Sequence, residues 1–283
     1  MPWFAWPLLA LLLCVWLAGW VAVALRPPPL VAYEPRRPVP WNVGELLLMF
    51  LLLVAALAAA GPLANFLRGG PLPPPAEGEL PALDGYSLGA FSACQLLAAG
   101  LLAAWLVLVR RAGMKDLGLS LRPAVEDVLR GLSAFVLIAP PVYVVQLVLT
   151  QWFPSEHPLL ELLKREPTPG NWALAIFTAV VVAPLVEEFF YRVVLQGWLE
   201  KSLSNSEGSP PTGFRGWLPI LISAGLFAAM HLGHGPDPIP LALLAIALGW
   251  LYRQTHRLLP SLLVHLMLNA TSLFIMYLEL ASN

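Results

Sequence analysis

Eight stretches of this chain are apolar for about 20 residues or close to it, the length that crosses a hydrocarbon layer. Inside lipid no water is at hand for backbone N–H and C=O groups, so a spanning segment must satisfy them internally. The stretches are roughly 2–25, 43–67, 88–109, 127–150, 171–199, 216–232, 238–252 and 258–279, the seventh being short enough to re-enter rather than cross. Residues 2–25 read as a retained helix and not as a secretion signal, because no Lys or Arg precedes them and no small-residue cleavage site follows. With 58% hydrophobic and 12% charged residues and a mean hydropathy of +0.73, the chain is too apolar for an ordinary soluble domain. The expectation is an all-α, polytopic integral protein of the cell membrane with about eight transmembrane helices. Residues 1–170 form its motif-free N-terminal part and residues 171–275 its functional core.

Proline- and glycine-rich segments such as RPPPL, GGPLPPPAEGELP and SNSEGSPPTG separate the stretches as loops, with no internal repeat. The first, third, fifth and seventh loops hold Arg26, Arg36, Arg37, Arg110, Arg111, Lys115, Arg122, Lys201, Arg215, Arg253 and Arg257. Only Arg68, Lys164 and Arg165 lie in the others. By the positive-inside bias the first set faces the cytoplasm and both termini lie outside it. The net charge of −1 contains no basic run, which argues against nucleic acid as a partner. Cys14 and Cys94 have no CxxC spacing and read as packing or lipid-facing residues. Trp3, Trp41, Trp152, Trp217 and Trp250, near span ends, read as interfacial anchors.

Against this background the stretch VVAPLVEEFFYRVVLQGWLE, residues 181–200, is anomalous. An ionisable side chain at mid-membrane costs about 2.5–3.5 kcal/mol on insertion scales, so each is a functional hypothesis. Glu188 and Arg192 stand at i and i+4 on one helix face and can neutralise each other. Glu187 lies about 100° round the helix, unpaired by anything local and free to face a cavity. Further polar groups follow: His231 in LFAAMHLGHG, with Phe227 one turn before it, and His265 with Asn269 one turn later in LLVHLMLNA. Counting about 1.5 Å per residue from the cytoplasmic ends puts Glu187, His231 and His265 about 16, 22 and 10 Å deep, a spread that helix tilt can absorb. Pro184 frees the carbonyl of Val180 in an α-helix and is expected to kink the helix beside the glutamates. His234 reads as a loop residue, and His157 and His256 belong to no constellation.

EEFFYR (187–192), FAAMH (227–231) and HLMLN (265–269) resemble the EExxxR, FxxxH and HxxxN motifs of the CAAX prenyl protease 2 and bacteriocin-processing (CPBP, or Abi) family of intramembrane proteases. The likeness covers about 100 residues and keeps the motifs in order. It implies an endopeptidase acting on a membrane-associated peptide or protein, with a prenylated CaaX segment as one substrate class. It further implies that Glu187 and His231 activate a water, that His265 and Asn269 stabilise the oxyanion, and that Glu188 and Arg192 complete the motif.

That chemistry also follows from the residue types. Peptide hydrolysis needs a base for water and donors aimed at the developing oxyanion. One carboxylate and two imidazoles, Glu187, His231 and His265, would equally hold a divalent metal such as zinc with a position open for water. The chain has no HExxH segment, and a metal-independent glutamate mechanism uses the same residues. Two other readings remain open: a non-enzymatic membrane scaffold or immunity protein, and a proton-coupled transporter, against which the missing repeat counts.

Overall fold

The computed structural model of the chain describes residues 14–22, 25, 31–73, 83–120, 124–153, 158–204 and 212–282. Among the described residues all regular structure is helical. A helical stretch over 14–22 comes first, while most of the expected span at 2–25 lies outside the described residues, as does His157. There follow α1 (Val43–Arg68), α2 (Gly85–Leu108), α3 (Ala124–Leu149), α4 (Pro158–Arg165), α5 (Pro169–Leu203), α6 (Gly213–Ala229), α7 (Pro238–Thr255) and α8 (Leu258–Ser282). Helices α1, α2, α3, α5 and α8 are long and apolar enough to cross a membrane. The sixth and seventh expected spans appear as the shorter α6 and α7, of 17 and 18 residues. The eight-residue α4 is an element that a search for long apolar runs does not find; its Leu159, Leu162 and Leu163 are buried while Glu161 and Lys164 face outward.

Local chemistry sets the helix ends. Asn42 opens α1 by accepting from the Gly44 N–H at 3.0 Å while Glu45 reaches back to the Asn42 N–H at 2.9 Å. Gly69, at φ 85°, closes it in the left-handed conformation that glycine adopts without penalty. The α1–α2 contact is built from Ala56, Ala60, Cys94 and Ala98, small residues that let two backbones approach in lipid. Leu47, Phe50 and Leu51 of α1 remain more than 60% exposed, as lipid-facing residues do.

The polar loops converge on one end of the bundle. Arg37 pairs with Asp116 at 3.2 Å, Arg36 with Glu200 at 3.3 Å, and Arg257 with Asp127 at 2.7 Å and also with Glu34. His256, at φ 48° where α7 stops, places Nδ1 on the Glu34 carbonyl and Nε2 3.2 Å from Glu200. Sequence spacing assigns His256 no partners, because these arrive from residues 34 and 200. The layer draws on the first, third, fifth and seventh loops, the set in which basic residues concentrate.

At the α1–α2 turn, Asp84 caps α2 and accepts two bonds from Arg68, at 2.6 and 2.8 Å. The Arg68 guanidinium holds the Asp84 carboxyl down at about 2. A carboxyl depressed by folding contributes stability that is present above its unfolded value, near 3.8, and lost as pH falls through about 2. Thermal unfolding in detergent should therefore show wild type above Asp84→Asn at neutral pH, the gap narrowing between pH 4 and 2.

Candidate active site

Helix α5 carries the acidic pair in an unusual winding. Two π-helical stretches, Phe177–Val182 and Phe189–Gln196, flank a six-residue α-helical piece, Ala183–Glu188, that bears Glu187 and Glu188. Single π turns within α-helices are frequent at functional sites. The perturbation expected from Pro184 is thus a widened helix. The Ala183 N–H bonds to the Thr178 carbonyl five residues back, and in that register the next donor would come from residue 184, a proline.

Arg192 lies fully buried, with Nε donating to Glu188 Oε2 at 3.1 Å and Nη1 to the Ser223 hydroxyl at 3.1 Å. Glu188, also fully buried, offers its other oxygen to His265 Nδ1 at 3.2 Å. A carboxylate only accepts, so Nδ1 carries the hydrogen and His265 presents Nε2 on its far side. That nitrogen lies 3.6 Å from Glu187 Oε2. His265 therefore bridges the adjacent glutamates, and the order Arg192, Glu188, His265, Glu187 runs from a sealed interior to a carboxylate that keeps 27% of its side chain exposed.

His231 lies beyond the end of α6, which stops at Ala229, and not within the helix as its span assignment predicts. Its Nδ1 donates to the Phe227 carbonyl at 2.9 Å, leaving Nε2 as the outward nitrogen. Glu187 is within electrostatic reach of both His231 and His265. Phe227, with no exposed surface, holds the group together: its ring centroid is 5.2 Å from that of Tyr191, 4.9 Å from His231 and 5.8 Å from His265, and Arg192 sits 5.8 Å over its face. His234 also comes near, its ring 6.2 Å from that of His231.

Asn269 stands apart from the acidic pair. Its Nδ2 donates to the Ala179 carbonyl at 2.8 Å, fastening α8 to the first π stretch of α5. Ser223 is a supporting residue that motif reading passes over. It accepts from Arg192 and donates to the Tyr191 carbonyl at 3.0 Å. Its spacing to Phe227 and His231, four residues and eight, was the available signal, since all three share one side of α6 and its end.

The cluster is closed toward the ionic layer. Residues 192 to 197 of α5 are all buried there, Val193 and Val194 in one cluster with Tyr252 and Gln196 donating to the Gly249 carbonyl at 2.8 Å. Glu187 keeps 27% of its side chain exposed, and Met230 and Leu232, in the turn at 230–237 that carries His231, are 61% and 72% exposed. That turn opens α7, whose other end, at His256, lies in the ionic layer some 27 Å away at 1.5 Å per residue. The turn that carries His231 and the basic end therefore lie at opposite ends of α7.

Among the described residues no three His, Cys, Asp or Glu side chains come together as a metal site. His265 gives Nδ1 to Glu188, as an imidazole oriented for a metal also does, and the 3.6 Å between Nε2 and Glu187 Oε2 is close to the spacing of two ligands on one zinc, so this pair serves a metal-bound and a metal-free water alike.

No curated protein and no solved structure was found to match the chain. A family model does match, that of the Rce1-like, type II CAAX prenyl endopeptidases, over residues 169–271. The match begins at the first residue of α5 and ends two residues beyond Asn269, so it takes in all three motifs. Residues 169–271, from the start of α5 into α8, are thus similar to the Rce1-like type II CAAX prenyl endopeptidases, consistent with a CPBP family intramembrane protease.

Proposed function

We propose that this protein hydrolyses a peptide bond in a membrane-associated substrate at the cluster formed by Glu187, His231 and His265. The observation that carries the reading is the bridging of Glu187 and Glu188 by one imidazole, His265, beside a carboxylate that is still reachable. Ordinary ion-pair satisfaction accounts for Glu188 and Arg192, which neutralise each other in the interior. It leaves Glu187 without a guanidinium partner and without a structural reason to sit in a membrane helix.

In this reading Glu187, assisted by His231, takes a proton from water as the oxygen attacks the scissile carbonyl, and returns it to the leaving amine nitrogen. His265 is held by Glu188 through Nδ1, so only Nε2 is left to face the substrate. In the form protonated there it donates to the oxyanion, an interaction worth about 10²–10³ in rate for a single donor. Glu188 and Arg192 position His265 and do not meet the substrate. A CaaX-type prenylated segment is the substrate class that the family match suggests. The turn at 230–237, bordered by exposed Met230 and Leu232, is an apolar approach suited to a lipid-borne chain.

The test is cleavage of a membrane-tethered peptide reporter by purified protein in lipid vesicles. Turnover by wild type and its loss in a folded His231→Ala variant supports the reading; equal turnover in both would count against it. On the metal-independent reading, treatment with a strong chelator leaves turnover unchanged. Stoichiometric zinc lost together with activity, and restored with it, would overturn the glutamate mechanism.

A further inference from the structure

The geometry points to Asn269 as a positioning residue that clamps the π turn of α5, in place of the oxyanion donor that its motif position implies. This inference rests on the peptidase reading for one of its two readouts.

Three observations carry it. The first is the register of α5. In the stretch Phe177–Val182 backbone donors reach five residues back, and the last of them, the Ala183 N–H, takes the Thr178 carbonyl. The next carbonyl is that of Ala179, and the donor that should reach it belongs to residue 184. Proline has no N–H, so the backbone leaves Ala179 unserved in the membrane interior, where an unsatisfied carbonyl is costly. The second is that Asn269 Nδ2 fills this place at 2.8 Å. The side chain replaces the missing main-chain donor and crosses from α8 to do it. The third is the position of the link. Asn269 lies one turn after His265 on α8, and Ala179 lies two turns before Glu187 on α5. The bond therefore fixes the two helices that supply the two halves of the Glu187–His265 contact. Tyr143 of α3 secures the same part of α8, its hydroxyl donating to the Leu268 carbonyl at 2.8 Å.

Proline and asparagine form one device in this account. Pro184 removes the donor that would let α5 close on itself, and the carbonyl so freed becomes the anchor for α8. The separation of Glu187 Oε2 and His265 Nε2, 3.6 Å, is then set by a bond to Ala179 and not by the acidic pair alone. One of the two Asn269 amide hydrogens is thereby committed to the Ala179 carbonyl.

A double-mutant cycle tests the clamp. Pro184→Ala returns an N–H to residue 184, giving the Ala179 carbonyl a backbone donor whether the segment stays π or tightens to α, where the Ala183 N–H takes it. Asn269→Ala alone is expected to cut kcat about 10–100-fold, the scale of a displacement of about 1 Å, with little change in KM, and to lower the melting temperature. Adding Pro184→Ala should recover most of both losses, so the two changes are far from additive. Pro184→Ser supplies the same N–H and serves where the alanine variant folds poorly. The inference is overturned if Asn269→Ala keeps the wild-type melting temperature and its kcat loss persists unchanged on either Pro184 variant, the behaviour of a donor to the oxyanion. Should wild type itself cleave no reporter, the peptidase reading fails, while the unfolding half of the cycle still decides the clamp.

Discussion

Glu187→Gln is expected to lower reporter cleavage by about 10²–10⁴-fold, the usual worth of a general base, while the melting temperature in detergent stays close to that of wild type. The two halves of this result come from one geometric fact. Among the described residues Glu187 makes no bond to a guanidinium; it keeps 27% of its side chain exposed and approaches His265 at 3.6 Å. Glutamine has the same shape and removes only the proton-accepting oxygen, so the fold has little to lose and the chemistry loses its base. Cleavage within a few-fold of wild type by a well-folded Glu187→Gln protein would leave the scaffold and transporter readings in possession of the cluster. Uptake of a solute into vesicles that depends on Glu187 would favour the transporter among them.

The neighbouring glutamate is expected to behave in the opposite way. Glu188→Ala leaves Arg192 fully buried with its charge uncompensated, and breaking a buried pair from one side costs about 3–5 kcal/mol. It also takes the hydrogen-bond acceptor from His265 Nδ1. A large fall in melting temperature and in yield of folded protein should follow, with loss of cleavage as a consequence. Adding Arg192→Met removes the stranded charge and should restore part of the stability, since an apolar pair of similar volume often replaces a buried ion pair at little cost. It should not restore activity, because His265 remains unanchored. If Glu188→Ala instead keeps wild-type stability and loses only turnover, Glu188 acts on the substrate and the division of labour between the adjacent glutamates is wrong.

These contrasting expectations arise from residues one position apart, and the sequence already separates them. A helix turns about 100° per residue, so adjacent glutamates cannot share a face, whereas Glu188 and Arg192 at i and i+4 can. The same arithmetic survives the unexpected winding of α5, because four residues remain nearly one turn in a π stretch. What the arithmetic misplaces is the carbonyl released by Pro184. An α-helical count gives Val180, while the five-residue register moves the vacancy to Ala179, and Asn269 is found there. Winding depends on how α5 packs against its neighbours, which no local pattern encodes.

His231 illustrates a different limit. Its apolar surroundings read as a continuing helix, yet α6 ends at Ala229 and the residue occupies the following turn, with Gly233 and Gly235 at positive φ just beyond. Hydropathy measures affinity for lipid and carries no information on where hydrogen bonding stops. His256 shows the converse. It has no carboxylate at helical spacing and is nonetheless held between Glu34 and Glu200, because the turn after α7 returns to residues far away in the chain.

The sequence by itself determined the class of the protein and the candidate chemistry. Lipid solvation admits only self-satisfied backbone, so long apolar runs must become helices, and every charge within them has to be paired or used. It also determined the pairing of Glu188 with Arg192, a matter of periodicity within one helix, and the three motifs that lie within the Rce1-like match over residues 169–271. Only the tertiary structure decided that His265 bridges both glutamates, that Phe227 packs against both His231 and His265, and that Asn269 is bonded to Ala179. Each of those depends on the distance and rotation between separate helices. These are fixed by side-chain packing and by where α5 winds wide, and the order of residues along the chain does not state them.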